Sequence, residues 1–206
     1  YIVDQTYVFD LVKNYDLFAH EYAIVDVRSL AEHMGDTSGY PNVKRRGRIP
    51  TSVWGKGGST SGQLEDYRNP DLTMRSGVEI LKMWDDLGID YRYKHLIFYC
   101  GNGWRSSEVM YYAELMGLYR ISLYVGGWLD WIKNPYNPIL TNDPDYTTPI
   151  TTTSTTTTKS STTTSANSTY TTLKTTTTIT RNITTIALSD SAMTSMEISN
   201  KNDSNK

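Results

Sequence analysis

Apolar residues in this chain fall into short unbroken runs that alternate with segments of helical period. Tyr22–Val27 and His95–Tyr99 have strand length but lack the in–out alternation of a half-exposed strand, and Ile121–Val125 repeats the pattern. Such runs read as strands covered on both faces. Before the first, Val8, Leu11 and Val12 share one face of a helix over Thr6–Tyr15. Ser29–Met34 has the length of a short helix, and Ser76-x-x-Glu79 is a capping-box pattern. The helix starting there places Ile80, Leu81, Trp84 and Leu87 inward and stops at Gly88. A further helix covers Arg105–Met116, ended by Gly117, while residues 35–75, rich in Gly, Pro, Ser and charge, form a long excursion. This alternation predicts an α/β fold, a parallel sheet flanked by helices. Ligands of such sheets bind beyond the carboxyl ends of the strands.

Composition divides the chain. All five Trp lie between Trp54 and Trp131, and beyond Asp145 the aromatics are Tyr146 and Tyr170. From Thr147 to Thr185, 22 of 39 residues are Thr, too polar a composition to build a core. The expected organisation is a domain over 1–140 and a Thr/Ser-rich, low-complexity disordered tail over 141–206. Residues 1–146 hold 15 Lys+Arg against 19 Asp+Glu, a mildly acidic balance that does not suggest a nucleic-acid face. Lys44-Arg45-Arg46-Arg48 is the one basic run, and a solvated loop is its simplest reading. No apolar stretch is long enough to cross a membrane. His20, His33 and His95 show no ligand spacing, and with one Cys there is no zinc pattern, so no metal and no cofactor are implied.

Cys100, the single cysteine, ends the His95–Tyr99 run and is followed by Gly101-Asn102-Gly103-Trp104-Arg105-Ser106-Ser107 and a helix. Alone, a cysteine ending an apolar strand is most simply an inert core residue. A core cysteine, however, requires neither the two glycines nor the arginine. The glycines allow successive amides to turn inward, and the helix N-terminus adds partial positive charge. A cup of this kind holds an anion and favours a thiolate at its base.

Cys-Gly-Asn-Gly-Trp-Arg-Ser-Ser resembles the active-site loop of rhodanese-type sulfurtransferases, Cys-x-x-Gly-x-Arg-Ser. Ile24-Val25-Asp26-Val27-Arg28 is similar to that family's first core strand with its Asp-x-Arg ending, and Glu32 follows at the family's spacing. Gly47-Arg48-Ile49-Pro50-Thr51-Ser52 resembles its Gly-His-Ile-Pro-Gly-Ala turn, with Arg48 for His and Thr-Ser for Gly-Ala. Tyr124-Val125-Gly126-Gly127-Trp128-Leu129-Asp130-Trp131 resembles its closing strand and Gly-Gly-Trp helix start.

The resemblance implies a rhodanese-like fold and a thiosulfate sulfurtransferase-type activity. Cys100 would carry a persulfide, the amides of residues 101 to 105 would hold its charge, and Arg105 would orient the donor. Gly101, Asn102, Gly103, Trp104, Arg105 and Ser106 are the substrate-binding candidates. Trp104 either walls the mouth or packs, and Ser107 is the better candidate for a helix cap. Arg75 is a candidate second cation, and Asp26 with Arg28 reads as a structural pair with an alternative role at the ligand. Four residues separate Cys100 from Arg105, where related cysteine phosphatases have five, so sulfur transfer ranks above phosphate hydrolysis. A persulfide carrier fed by a partner protein and an idle scaffold are the alternatives. Expected partners are a small-molecule sulfur donor and a thiol or cyanide acceptor, without nucleic acid or membrane. Because the chain starts at Tyr1 and many relatives are tandem, a second rhodanese unit or a targeting signal upstream is also expected. A lone cysteine fits the cytoplasm or mitochondrion. Asn167-Ser-Thr, Asn182-Ile-Thr and Asn202-Asp-Ser are glycosylation patterns that would instead place the chain outside the cell if used.

Overall fold

A computed structural model describes residues 1–142; the Thr-rich segment and the three glycosylation patterns lie outside the described residues. Five strands form one parallel sheet: β1 (Ile2–Val3), β2 (Tyr22–Asp26), β3 (Val53–Trp54), β4 (His95–Tyr99) and β5 (Ile121–Tyr124), in the order β1-β5-β4-β2-β3. The helices are α1 (Gln5–Lys13), α2 (Tyr15–Phe18), α3 (Leu30–Met34), α4 (Gly77–Asp86), α5 (Trp104–Leu115) and α6 (Gly127–Trp131). The α/β architecture is therefore as read from the sequence, with both faces of the sheet covered. Ile24 pairs with Ile97 and Val25 with Phe98 in register. Because side chains alternate across a strand, Val25, Leu96, Phe98 and Cys100 face a core built with Ile80, Trp84, Val109 and Ala113 of α4 and α5. Ile24, Ile97 and Tyr99 face the other, with Val8 and Val12 of α1 and Trp128 and Trp131 of α6. Each fully buried Val, Leu, Ile or Phe among them contributes about 1.5–3 kcal/mol relative to exposure.

Local signals set the helix ends. Asp4 caps α1 by accepting from the Tyr7 amide at 2.9 Å. The helix closes at Lys13 rather than Tyr15, because Asn14 leaves helical geometry (φ −110°, ψ 33°) before the short α2 begins. Ser76 and Glu79 form the expected capping box of α4, with Ile80 and Trp84 buried and Leu81 and Leu87 partly so. Ser29 and Glu32 form a second one on α3. The excursion is tied down by Tyr67, whose hydroxyl donates to the Gly55 carbonyl at 2.5 Å and accepts from Trp84 Nε1 at 2.9 Å.

Lys44 of the basic run is exposed, as a solvated loop requires, but two of the arginines are tied into the fold. Arg45 donates to the carbonyls of Ile132, Asn134 and Asn137, and the buried Arg48 donates to the His33 carbonyl. Leu140 pairs with Arg48, Thr141 is buried and the Asn142 amide reaches the Met34 carbonyl, so packing continues through Asn142.

Candidate active site

β4 delivers Cys100 to the carboxyl edge of the sheet, and α5 begins four residues later. Gly103 at φ +99° makes the turn, a conformation that favours glycine. Cys100 Sγ is fully buried and accepts from the Gly103 amide at 3.2 Å. Ser106 Oγ lies 3.5 Å from Sγ and 3.1 Å from the Gly103 carbonyl, so its single proton serves one or the other. Behind the loop, the amides of Trp128 and Leu129 at the start of α6 hold the carbonyls of Cys100 and Gly101 at 2.8 and 2.9 Å. That close approach explains Gly127, which has φ +56° and whose Cβ, if present, would fall 2.4 Å from the Cys100 carbonyl.

Arg105 faces inward. Its two terminal nitrogens grip Glu32 at 2.8 and 3.0 Å, and they also approach the Thr60 carbonyl (3.3 Å) and the Tyr40 hydroxyl (3.5 Å). Burial alone would lower the Arg105 pKa, but Glu32, with Cys100 and Tyr40, raises it above the ordinary arginine value. A guanidinium already forked onto a carboxylate braces the loop; its two terminal nitrogens are engaged before any donor arrives. Trp104, by contrast, is 80% exposed, and Asn102 is exposed beside it, so Trp104 is not packed in the core. Ser107 does not cap α5. The N-cap is Gly103, and the Ser107 hydroxyl donates back to the Trp104 carbonyl at 2.8 Å.

Asp26 and Arg28 are a fully buried pair at the end of β2, joined at 2.8 and 2.7 Å. Asp26 also accepts from the Tyr99 hydroxyl at 2.8 Å and from His33 Nδ1 at 2.9 Å, and Arg28 donates to the Gly47 carbonyl at 2.8 Å and lies over the Trp128 ring. Burial opposes the Asp26 charge, but Arg28 and His33 together hold its carboxyl well below the usual range. Burial also lowers the His33 pKa, against the pull of Asp26. This network knits β2, α3 and the Gly47 turn together, and none of its contacts involves the Cys100 loop. Arg75 lines a separate cavity with Lys56, Asp66, Glu79 and Lys82, and donates to the Glu65 carbonyl. It is not brought to the cup.

Tyr40 and Thr60 at the Cys100 loop were not anticipated from sequence. Both sit in the excursion, where no periodicity marks them. The Glu32–Arg105 pair had half a signal, because Ser29-x-x-Glu32 is the same capping-box spacing as Ser76-x-x-Glu79. Among the described residues, no group of His, Cys, Asp and Glu is placed to hold a metal, and no helix is long and apolar enough to cross a membrane.

The rhodanese-like domain family matches residues 11–134, and the chain belongs to that family. Thiosulfate sulfurtransferase YnjE of Escherichia coli is 42% identical over 127 residues, covering 62% of this chain and 29% of the relative. The sulfur carrier protein TtuD of Thermus thermophilus is 30% identical over 115 residues, covering 53% and 38%. Among solved structures, wild-type EanB superposes with TM-score 0.63 at 40% identity over 69% of this chain and 32% of that one. The crystal structure of YnjE gives 0.62 at 39% over 70% and 34%. The chain thus spans about a third of the length of the proteins it matches. The named relatives support a role in sulfur transfer.

Proposed function

We propose that this domain is a sulfurtransferase that carries a sulfane sulfur on Cys100. The observation that carries the reading is the placement of Sγ at the base of a glycine-turned loop, 3.2 Å from the Gly103 amide and beside the start of α5. Likeness adds support, since one EanB variant structure contains a cysteine persulfide together with ergothioneine. In the first half-reaction, Cys100 thiolate attacks the outer sulfur of thiosulfate or a related donor. The donor's S–S bond breaks, its electron pair leaves with sulfite, and Cys100 holds a persulfide. Loop amides stabilise charge on the terminal sulfur as an oxyanion hole does for oxygen. In the second, a thiolate or cyanide attacks that sulfur, and the electron pair returns to Cys100. Arg105 acts by holding the loop against Glu32, so the donor's sulfonate is oriented by other groups. A carrier role, with a partner protein as donor, is favoured by the likeness to TtuD and by the exposed Trp104 beside the loop.

Intact-mass spectrometry after thiosulfate treatment tests the reading. The expected result is gain of one sulfur on the wild type, reversed by cyanide and absent from Cys100→Ser. Loading by a protein persulfide but not by thiosulfate would select the carrier role. No adduct from either donor would leave an idle scaffold.

A further inference from the structure

Residues 37–41 and 59–61 bound a groove of about 430 Å³. Thr37, Gly39 and Tyr40 form one wall, and Ser59, Thr60 and Ser61 the other. Two of these six also touch the Cys100 loop. The Tyr40 phenol lies so close to Gly101 that a Cβ there would fall 1.7 Å from its hydroxyl, and that hydroxyl is 3.5 Å from Arg105. The Thr60 carbonyl accepts from Arg105 at 3.3 Å. The groove therefore abuts the cup, with Tyr40 and Thr60 lining the groove and also contacting Arg105 of the Cys100 loop.

The lining has a distinct chemistry. Six of its nine lining residues carry a hydroxyl, the others being Ala31, Gly39 and Pro41, and among the described residues no Lys, Arg, Asp or Glu lines it. Arg105, behind Tyr40 and Thr60, is already forked onto Glu32. A charged molecule held in this groove would meet no opposite charge among the lining residues to offset the hydration it gives up. An uncharged molecule with its own hydroxyl or amide groups would instead find donors and acceptors on both walls.

We propose that this groove is the subsite for the sulfur acceptor, and that it takes an uncharged thiol bearing hydroxyl or amide groups. The proposal rests on the persulfide reading of Cys100. The acceptor lies between the two walls and passes its sulfur beyond Tyr40. Its thiol releases a proton to solvent, and the thiolate attacks the terminal sulfur of the Cys100 persulfide. The S–S bond to Cys100 breaks, its electron pair stays on Sγ, and the acceptor leaves as a persulfide. The acceptor sulfur is oxidised as the Cys100 sulfur is reduced, so no further reagent is required.

The test first loads Cys100 with inorganic polysulfide and verifies the gain of one sulfur by mass. Loss of that sulfur is then timed with dithiothreitol, which is uncharged, and with mercaptosuccinate, which is a dianion. The quantity read is the ratio of the two rates, compared among wild type, Ser61→Arg and Ser61→Glu. Ser61→Arg should lower the ratio of dithiothreitol to mercaptosuccinate by about threefold, the size of an exposed ion pair, and Ser61→Glu should raise it. Opposite shifts cannot arise from a common folding defect. A ratio unmoved by both, or moved the same way by both, overturns the subsite while leaving the loaded persulfide intact. Absence of any sulfur gain overturns the persulfide reading and the subsite with it.

Discussion

Replacing Glu32 by Gln removes one charge and leaves every backbone atom where it was, yet the structure makes it a severe change. The carboxylate accepts from both terminal nitrogens of Arg105, at 2.8 and 3.0 Å, and from the amide and hydroxyl of Ser29, at 3.1 and 2.9 Å. A Gln side chain has one oxygen to offer these donors, and its NH₂ would then point at either Ser29 or the guanidinium. Both side chains are nearly inaccessible, 0% exposed for Glu32 and 6% for Arg105. Surface screening therefore does little, and removing the charged partner of a buried ion pair costs about 3–5 kcal/mol. For a domain of this size that corresponds to a fall in Tm of roughly 10–15 °C. Guanidinium unfolding followed by tryptophan fluorescence reads it directly, since Trp84, Trp128 and Trp131 are buried. Glu32→Leu combined with Arg105→Met removes both charges, and it should recover most of the loss although Cys100 chemistry suffers. A cost below about 1 kcal/mol for Glu32→Gln would refute the argument that this pair fixes the loop.

Two further outcomes are expected. Gly127→Ala places a Cβ against the Cys100 carbonyl at a positive φ, which should cost about 1–3 kcal/mol in denaturant unfolding and slow sulfur loading in the mass assay. Stability should change little between about pH 7 and 9 and should fall below about 6.5, because burial holds the folded His33 pKa under its ordinary 6.5 and the unfolded chain takes up the proton first. His95, lowered by burial and by Arg120, adds to the loss with the same sign, whereas Asp26 contributes only below its ordinary 3.8. His33→Gln should make Tm less steep between about pH 6.5 and 5; an unchanged slope would remove His33 from the account.

The parts of this protein legible in the sequence are those whose cause is local. β2, β4 and β5 are runs of four or five apolar-rich residues, long enough to show that both faces are covered. Capping chemistry acts over three residues, so the start of α4 was readable, and the Cys100 loop announces itself through contiguous Gly, Arg and Ser. β1 and β3 have two residues each; no periodicity can be read from two positions, and they are strands only because β5 and β2 offer unpaired backbone beside them. The same limit applies to the site. Arg105 could be foreseen as a cation near a thiol, but its direction is set by Glu32, 73 residues earlier in the chain, and its desolvation can be offset only once folding brings the two together. Tyr40 and Thr60 come from the excursion, whose pattern predicts nothing beyond a loop. Local pattern was enough to place β2, β4 and β5, the start of α4 and the glycine-rich turn after Cys100. Tertiary packing decided which charge is already neutralised and which walls stand beside that residue, because those depend on contacts between segments that no local interaction couples.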